Sequence, residues 1–103
     1  MSEYKILITQ RAFSSINECV SFVMNVSYDA AKDLYKELIE QIYNIGLFPE
    51  RYPEIDDLKI SDWKIRKMPV HSGRYNVLYR IEKQIIYVMD IIDSRKDQIL
   101  NRL

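Results

Sequence analysis

The chain has 103 residues, 48% of them hydrophobic and 29% charged, a composition that fits one globular domain over 1–103 and excludes long disorder. No apolar run approaches the ~18 residues needed to span a bilayer, and no basic-then-apolar leader opens the chain, so a membrane or exported protein is not expected. The formal charge of zero hides an asymmetry: 5 Lys/Arg against 10 Asp/Glu up to Asp57, then 10 against 5 from Leu58 onward. That split predicts an electropositive surface on the C-terminal half, suited to phosphates or to an acidic region of another protein.

Tyr4, Ile6 and Ile8 alternate with Lys5, Leu7 and Thr9, which predicts a short strand. Ile16, Cys19, Val20, Val23 and Met24 then follow helical spacing, with Ser15-x-x-Glu18 as a candidate capping box. Cys19, the only cysteine, excludes an internal disulfide, fits a reducing cytoplasm and reads as core packing. A second helix carries the apolar stripe Ala31, Leu34, Tyr35, Leu38, Ile42 and Ile45, with Ser27 as N-cap and Gly46 as stop. The short link between the helices predicts an antiparallel hairpin.

Phe48-Pro-Glu-Arg-Tyr-Pro53 cannot continue a helix, and Glu54 to Asp57 reads as a surface loop. The period then becomes two. Trp63 and Ile65 alternate with Lys64 and Arg66, and Pro69 is expected to bulge or end that strand. Tyr75, Val77, Tyr79 and Ile81 mark the next strand, with a tight connection at Glu82-Lys-Gln84. Ile85 to Ile92, apolar on both faces apart from Asp90, reads as an interior strand. The order is strand, two helices, three strands: an α+β fold with the helix hairpin on one face of a mainly antiparallel sheet that ends in a three-stranded meander.

Arginine and lysine on strands built for burial are costly unless something anionic sits nearby. Lys64 and Arg66, two residues apart, share a strand face. Arg80 is expected to pair with a carboxylate such as Asp90, and Arg95 with Asp93 or Asp97. No Cys/His cluster has metal spacing, no glycine loop could cradle a phosphate, and neither a metal nor another cofactor is expected.

Several motifs in order resemble the RelE/ParE superfamily of bacterial type II toxin–antitoxin toxins: Asp29-Ala-Ala-Lys-Asp-Leu34, Leu47-Phe-Pro-Glu-Arg-Tyr-Pro53, Ile65-Arg-Lys-Met-Pro-Val70, Tyr75-Asn-Val-Leu-Tyr-Arg-Ile81 and Ile91-Ile-Asp-Ser-Arg-Lys-Asp97. The resemblance implies a cytoplasmic toxin partnered by a cognate antitoxin, whose release arrests growth. Its first implication for activity is a metal-independent mRNA endoribonuclease (an mRNA interferase) acting on the ribosome by attack of a 2′-hydroxyl on the adjacent phosphate. Lys64 then matches the family's base, Arg66 a phosphate-holding cation and Arg95 the charge-stabilising arginine, with Arg74, Lys67 and His71 as substrate-binding candidates. Two positions depart from that set: Asn76 stands where the family has a strand arginine, and Asn101 where RelE-like members stack a tyrosine. The alternatives implied are a ParE-like, non-enzymatic poison of DNA gyrase, or a degenerate toxin acting only within its antitoxin complex.

Overall fold

A strand, two helices and three further strands follow one another in the structure, a computed structural model that describes residues 3–55 and 64–95. Strand β1 (Lys5–Ile8) leads into α1 (Gln10–Met24) and α2 (Tyr28–Asn44), then a single 3-10 turn over Ile45–Leu47. Strands β2 (Arg66–Val70), β3 (Tyr75–Glu82) and β4 (Ile85–Asp93) complete a four-stranded sheet of order β1-β4-β3-β2. Strands β2, β3 and β4 form the expected antiparallel meander, and β1 joins β4 in parallel. That places β4 inside the sheet, as its two apolar faces require.

Thr9 forms the joint between β1 and α1. Its Oγ1 accepts from the Ala12 N–H at 3.1 Å and donates to the Val88 carbonyl at 2.9 Å, so one hydroxyl caps the helix and fastens it to β4. The expected capping box at Ser15 is therefore corrected. Ser15 lies a turn and a half inside α1, and its Oγ donates to Asp90. Ser27 does cap α2, accepting from the Ala30 N–H at 3.1 Å, with Asp29 favourably placed in the first turn.

Ala12 and Ile16 of α1 and Leu34, Leu38 and Ile42 of α2 face Met68, Val77, Tyr79, Ile86 and Val88 of the sheet in one continuous core. Tyr35 and Met24, expected on the apolar stripes, instead remain 46% and 49% exposed. A bulge interrupts the β3–β4 ladder: Tyr79 pairs with Val88 but Leu78 with Asp90, so Met89 is the extra residue. The bulge shifts the alternation, so Val88 and Ile91 both enter the helix-side core while Ile92 joins Leu78 and Ile65 in a small separate cluster.

Strand β2 runs unbroken through Pro69, against the expected interruption. The reason is its edge position. The Lys67 N–H points outward to the Pro53 carbonyl at 3.4 Å, so residue 69, two positions on, also faces outward, where no ladder donor is required. The chain at 53–55 lies along that same edge, bridging Glu54 to Arg66 and bonding the Ile55 N–H to the Ile65 carbonyl at 2.8 Å. Trp63, Asp97 and Asn101 lie outside the described residues.

Candidate functional site

The six candidate residues fall into two groups at opposite ends of β2. Arg66 alternates with Met68 and Val70, both buried under the helices, so its side chain is directed to the helix side and is only 17% exposed. There it donates through Nη1 to the carbonyls of Tyr52 and, at 3.2 Å, Glu50, and through Nη2 to Glu54 at 3.4 Å. Tyr79 reinforces the same loop, its hydroxyl donating to the Pro49 carbonyl at 2.7 Å. Burial pushes the Tyr79 phenol up to about 12, against the downward pull of Arg66. Lys64 and Lys67 are exposed at this end, with Lys67 on the opposite sheet face from Arg66.

The other end is built around a strained turn. His71, Ser72 and Gly73 have φ of 54°, 55° and 83°, so two residues with side chains occupy the left-handed region. Three attachments fix this turn. His71 Nδ1 lies 2.8 Å from Glu37 of α2, and Ser94 Oγ donates to the Gly73 and Arg74 carbonyls at 2.8 and 2.9 Å. Arg74 follows, its Nε 3.3 Å from Asp93 and its guanidinium carbon 5.4 Å from the Tyr75 ring centre. Arg95 approaches the same carboxylate from the other side, with Nε at 3.6 Å and its backbone N–H donating at 2.9 Å. Partial burial works against ionising Asp93, but the Arg95 amide and the two guanidiniums hold its carboxyl below the ordinary carboxylate value. Burial also raises the Tyr75 phenol.

Arg74, His71 and Arg95 are thus brought together, while Lys64, Arg66 and Lys67 are not part of that group. Val70 pairs with Tyr75, and Tyr75 with Asp93, so Asp93 sits level with the far end of β2. Arg66 and Val70 are four positions apart, about 13 Å of extended strand. Arg80 is bonded to Glu82 two residues along β3 and lies 4.4 Å over the Tyr87 ring, while Asp90, its expected partner, receives Ser15 and Arg11 of α1.

Sequence reasoning assigned Tyr75 to the strand alone, passed over Glu37, which only tertiary contact brings to the turn, and gave Arg51 no role. Two hollows flank the segment after α2: one of about 610 Å³ between Tyr4 and residues 46–51, and one of about 200 Å³ beside Asn44, Tyr52 and Met68. No cluster of three or more His, Cys, Asp or Glu among the described residues could hold a metal ion. None of the described helices is long and apolar enough to cross a membrane.

This arrangement of a helix hairpin on a four-stranded sheet has known counterparts. A chain of the chromosomal ParDE toxin–antitoxin system from P. aeruginosa superposes with a TM-score of 0.72 at 11% identity, covering 88% of this chain and 96% of that one. A mutant of the E. coli toxin RelE in the free state superposes with a TM-score of 0.58 at 12% identity, covering 97% of this chain and 93% of that one. The RelE/ParE class of fold is therefore established by structure. A family model, the ParE toxin of the type II toxin–antitoxin system parDE, matches residues 6–98, and the chain belongs to that family. No curated protein matches it in sequence.

Proposed function

We propose that this toxin acts by binding, in the ParE manner, with DNA gyrase as its target and a cognate antitoxin as its neutralising partner. The observation that carries this reading is the dispersal of the cations. Cleavage of a phosphodiester needs a base, charge stabilisation and a proton donor around one phosphate, all within a few ångströms of it. Arg66 is committed to the carbonyls of its own chain, and Arg95 shares Asp93 with Arg74 a strand length away. The match to the ParE family supports the same reading. The antitoxin is expected over the surface formed by the basic half, covering the Arg74–Arg95 end.

The ribonuclease alternative, with Lys64, Arg66 and Arg95 as catalytic groups on ribosome-bound mRNA, makes the opposite demand: those side chains must converge on substrate. One pair of measurements separates the two. Purified protein is expected to inhibit gyrase supercoiling, and transcripts mapped after induced expression are expected to remain intact. Codon-phased cuts that disappear on Arg66→Ala or Arg95→Ala, with gyrase unaffected, would overturn the binding reading.

A further inference from the structure

Six arginines lie among the described residues, and five of them, Arg11, Arg66, Arg74, Arg80 and Arg95, have a carboxylate partner. Arg51 is the exception among the described residues. Its guanidinium carbon lies 5.6 Å from the Tyr52 ring centre and meets no carboxylate among the described residues. This side chain lines both hollows that flank the segment after α2. Beside it, Leu47 and Phe48 are 70% and 71% exposed, large apolar side chains held out into solvent. Burying either in a partner removes apolar surface from water, a favourable change.

The loop that presents them is fixed in advance. Pro49 is held by the Tyr79 hydroxyl, and the Glu50 and Tyr52 carbonyls by Arg66. A partner therefore meets a surface that needs little further ordering, the condition under which a few exposed residues dominate affinity. The local charge narrows the choice of partner. Glu50 and Glu54 flank Arg51, so this segment carries no excess positive charge of its own and matches a single carboxylate better than a polyanion. One carboxylate beside one apolar side chain is what it can receive.

We infer that Leu47, Phe48 and Arg51 form the docking site for the toxin's protein target, a segment that sets an apolar side chain beside Phe48 and a carboxylate on Arg51. The inference rests on the binding reading above and assigns its contact surface. The site lies beside Arg66, about one length of β2 from the Arg74–Arg95 end that the antitoxin is expected to cover.

The test uses the full chain and three variants: Phe48→Ala, Arg51→Glu and Arg51→Lys. Phe48 and Arg51 are both exposed, so the fold is expected to persist, checked by unchanged thermal midpoints. Phe48→Ala and Arg51→Glu should each raise the concentration for half-inhibition of gyrase at least tenfold and relieve growth arrest. Arg51→Lys should retain most activity, and all three should still co-purify with the antitoxin. Variants that inhibit like the wild type would overturn the site while leaving the gyrase reading intact. Loss of antitoxin capture in the same variants would overturn it too, reassigning the loop to the antitoxin. A wild-type protein without effect on gyrase would sink the functional reading instead. Growth arrest then decides the site: relief by Phe48→Ala and Arg51→Glu keeps it as the dock for another target, and unrelieved arrest, or no arrest at all, removes it.

Discussion

Asp90 and Asp93 lie three residues apart on β4 and both meet arginine, yet one is sealed in the fold and the other stands at its rim. Asp90 is 0% exposed. Its carboxylate accepts from the Ser15 hydroxyl, from the Ile91 N–H at 2.8 Å and from Arg11 Nε at 3.2 Å, so it ties α1 to the bulge. Asp93 is shared by Arg74 and Arg95 and leaves the outer guanidinium 60% exposed. Arginines divide in the same way: Arg66, 17% exposed, bonds its own backbone, whereas Arg95 faces outward. Charged residues of one type thus serve the fold where their hydrogen bonds close inward, and the surface where they do not.

The most severe way to break this contrast is Asp90→Ala. It removes a buried carboxylate that accepts from the Ser15 hydroxyl, the Ile91 amide and Arg11, and losing a buried acceptor costs ~1–3 kcal/mol for each donor that is not satisfied elsewhere. A loss of about 3 kcal/mol in urea-unfolding free energy is expected, and a loss below ~1 kcal/mol would show that α1 is not anchored through this carboxylate. Arg66→Ala comes next, at about 2 kcal/mol, since it removes a charged donor from two carbonyls that water can partly reach. Faster amide exchange at Arg51 and Tyr52 should accompany it, and unchanged exchange would contradict a pinned loop. Tyr79→Phe is smaller, about 1 kcal/mol, the net worth of one neutral hydrogen bond. It also removes a pH dependence. The folded phenol titrates near 12 against an ordinary 10, so its contribution is complete below pH 10 and is lost as pH rises from 10 to 12. The wild type should weaken across that window more than the Tyr79→Phe variant.

Period made most of this fold legible. Alternation marks β3, and β4 shows its interior position because Ile86 and Val88 turn to one face while Met89 and Ile92 turn to the other. Ser15 misled because a Ser-x-x-Glu spacing occurs inside helices as easily as at their starts, whereas the true cap, Thr9, has Ala12 in place of the reciprocal acid. The bulge at Met89 could not be read from β4 alone, since it is defined by what β3 places opposite. For the site, parity put Arg66 on the same strand face as Met68 and Val70. Which side of the sheet that was depended on Met68 and Val70 packing under α2, and the partners of Arg66 lie 12 to 16 residues earlier in the chain. Arg95 with Asp93, two residues apart, was the local pair that sequence could anticipate.

The least destructive change, Asp93→Asn, sharpens the contrast most because its two readouts should move differently. Rim ion pairs contribute under ~1 kcal/mol, so unfolding free energy should fall only slightly at neutral pH. The Asp93 carboxyl lies below its ordinary value of 3.8 in the folded chain, so its contribution is present above that pH and fades as pH falls through the folded value. The variant should therefore lose its small deficit at acid pH, converging with the wild type. Surface potential should respond more strongly, because the substitution leaves Arg74 and Arg95 without their shared negative charge. Retention on heparin is expected to shift to higher salt, in contrast to Arg66→Ala, whose charge is turned inward. If Asp93→Asn instead destabilised the chain as much as Asp90→Ala and left retention unchanged, the carboxylate at the rim would be anchoring the fold, and the distinction between the two aspartates would fail.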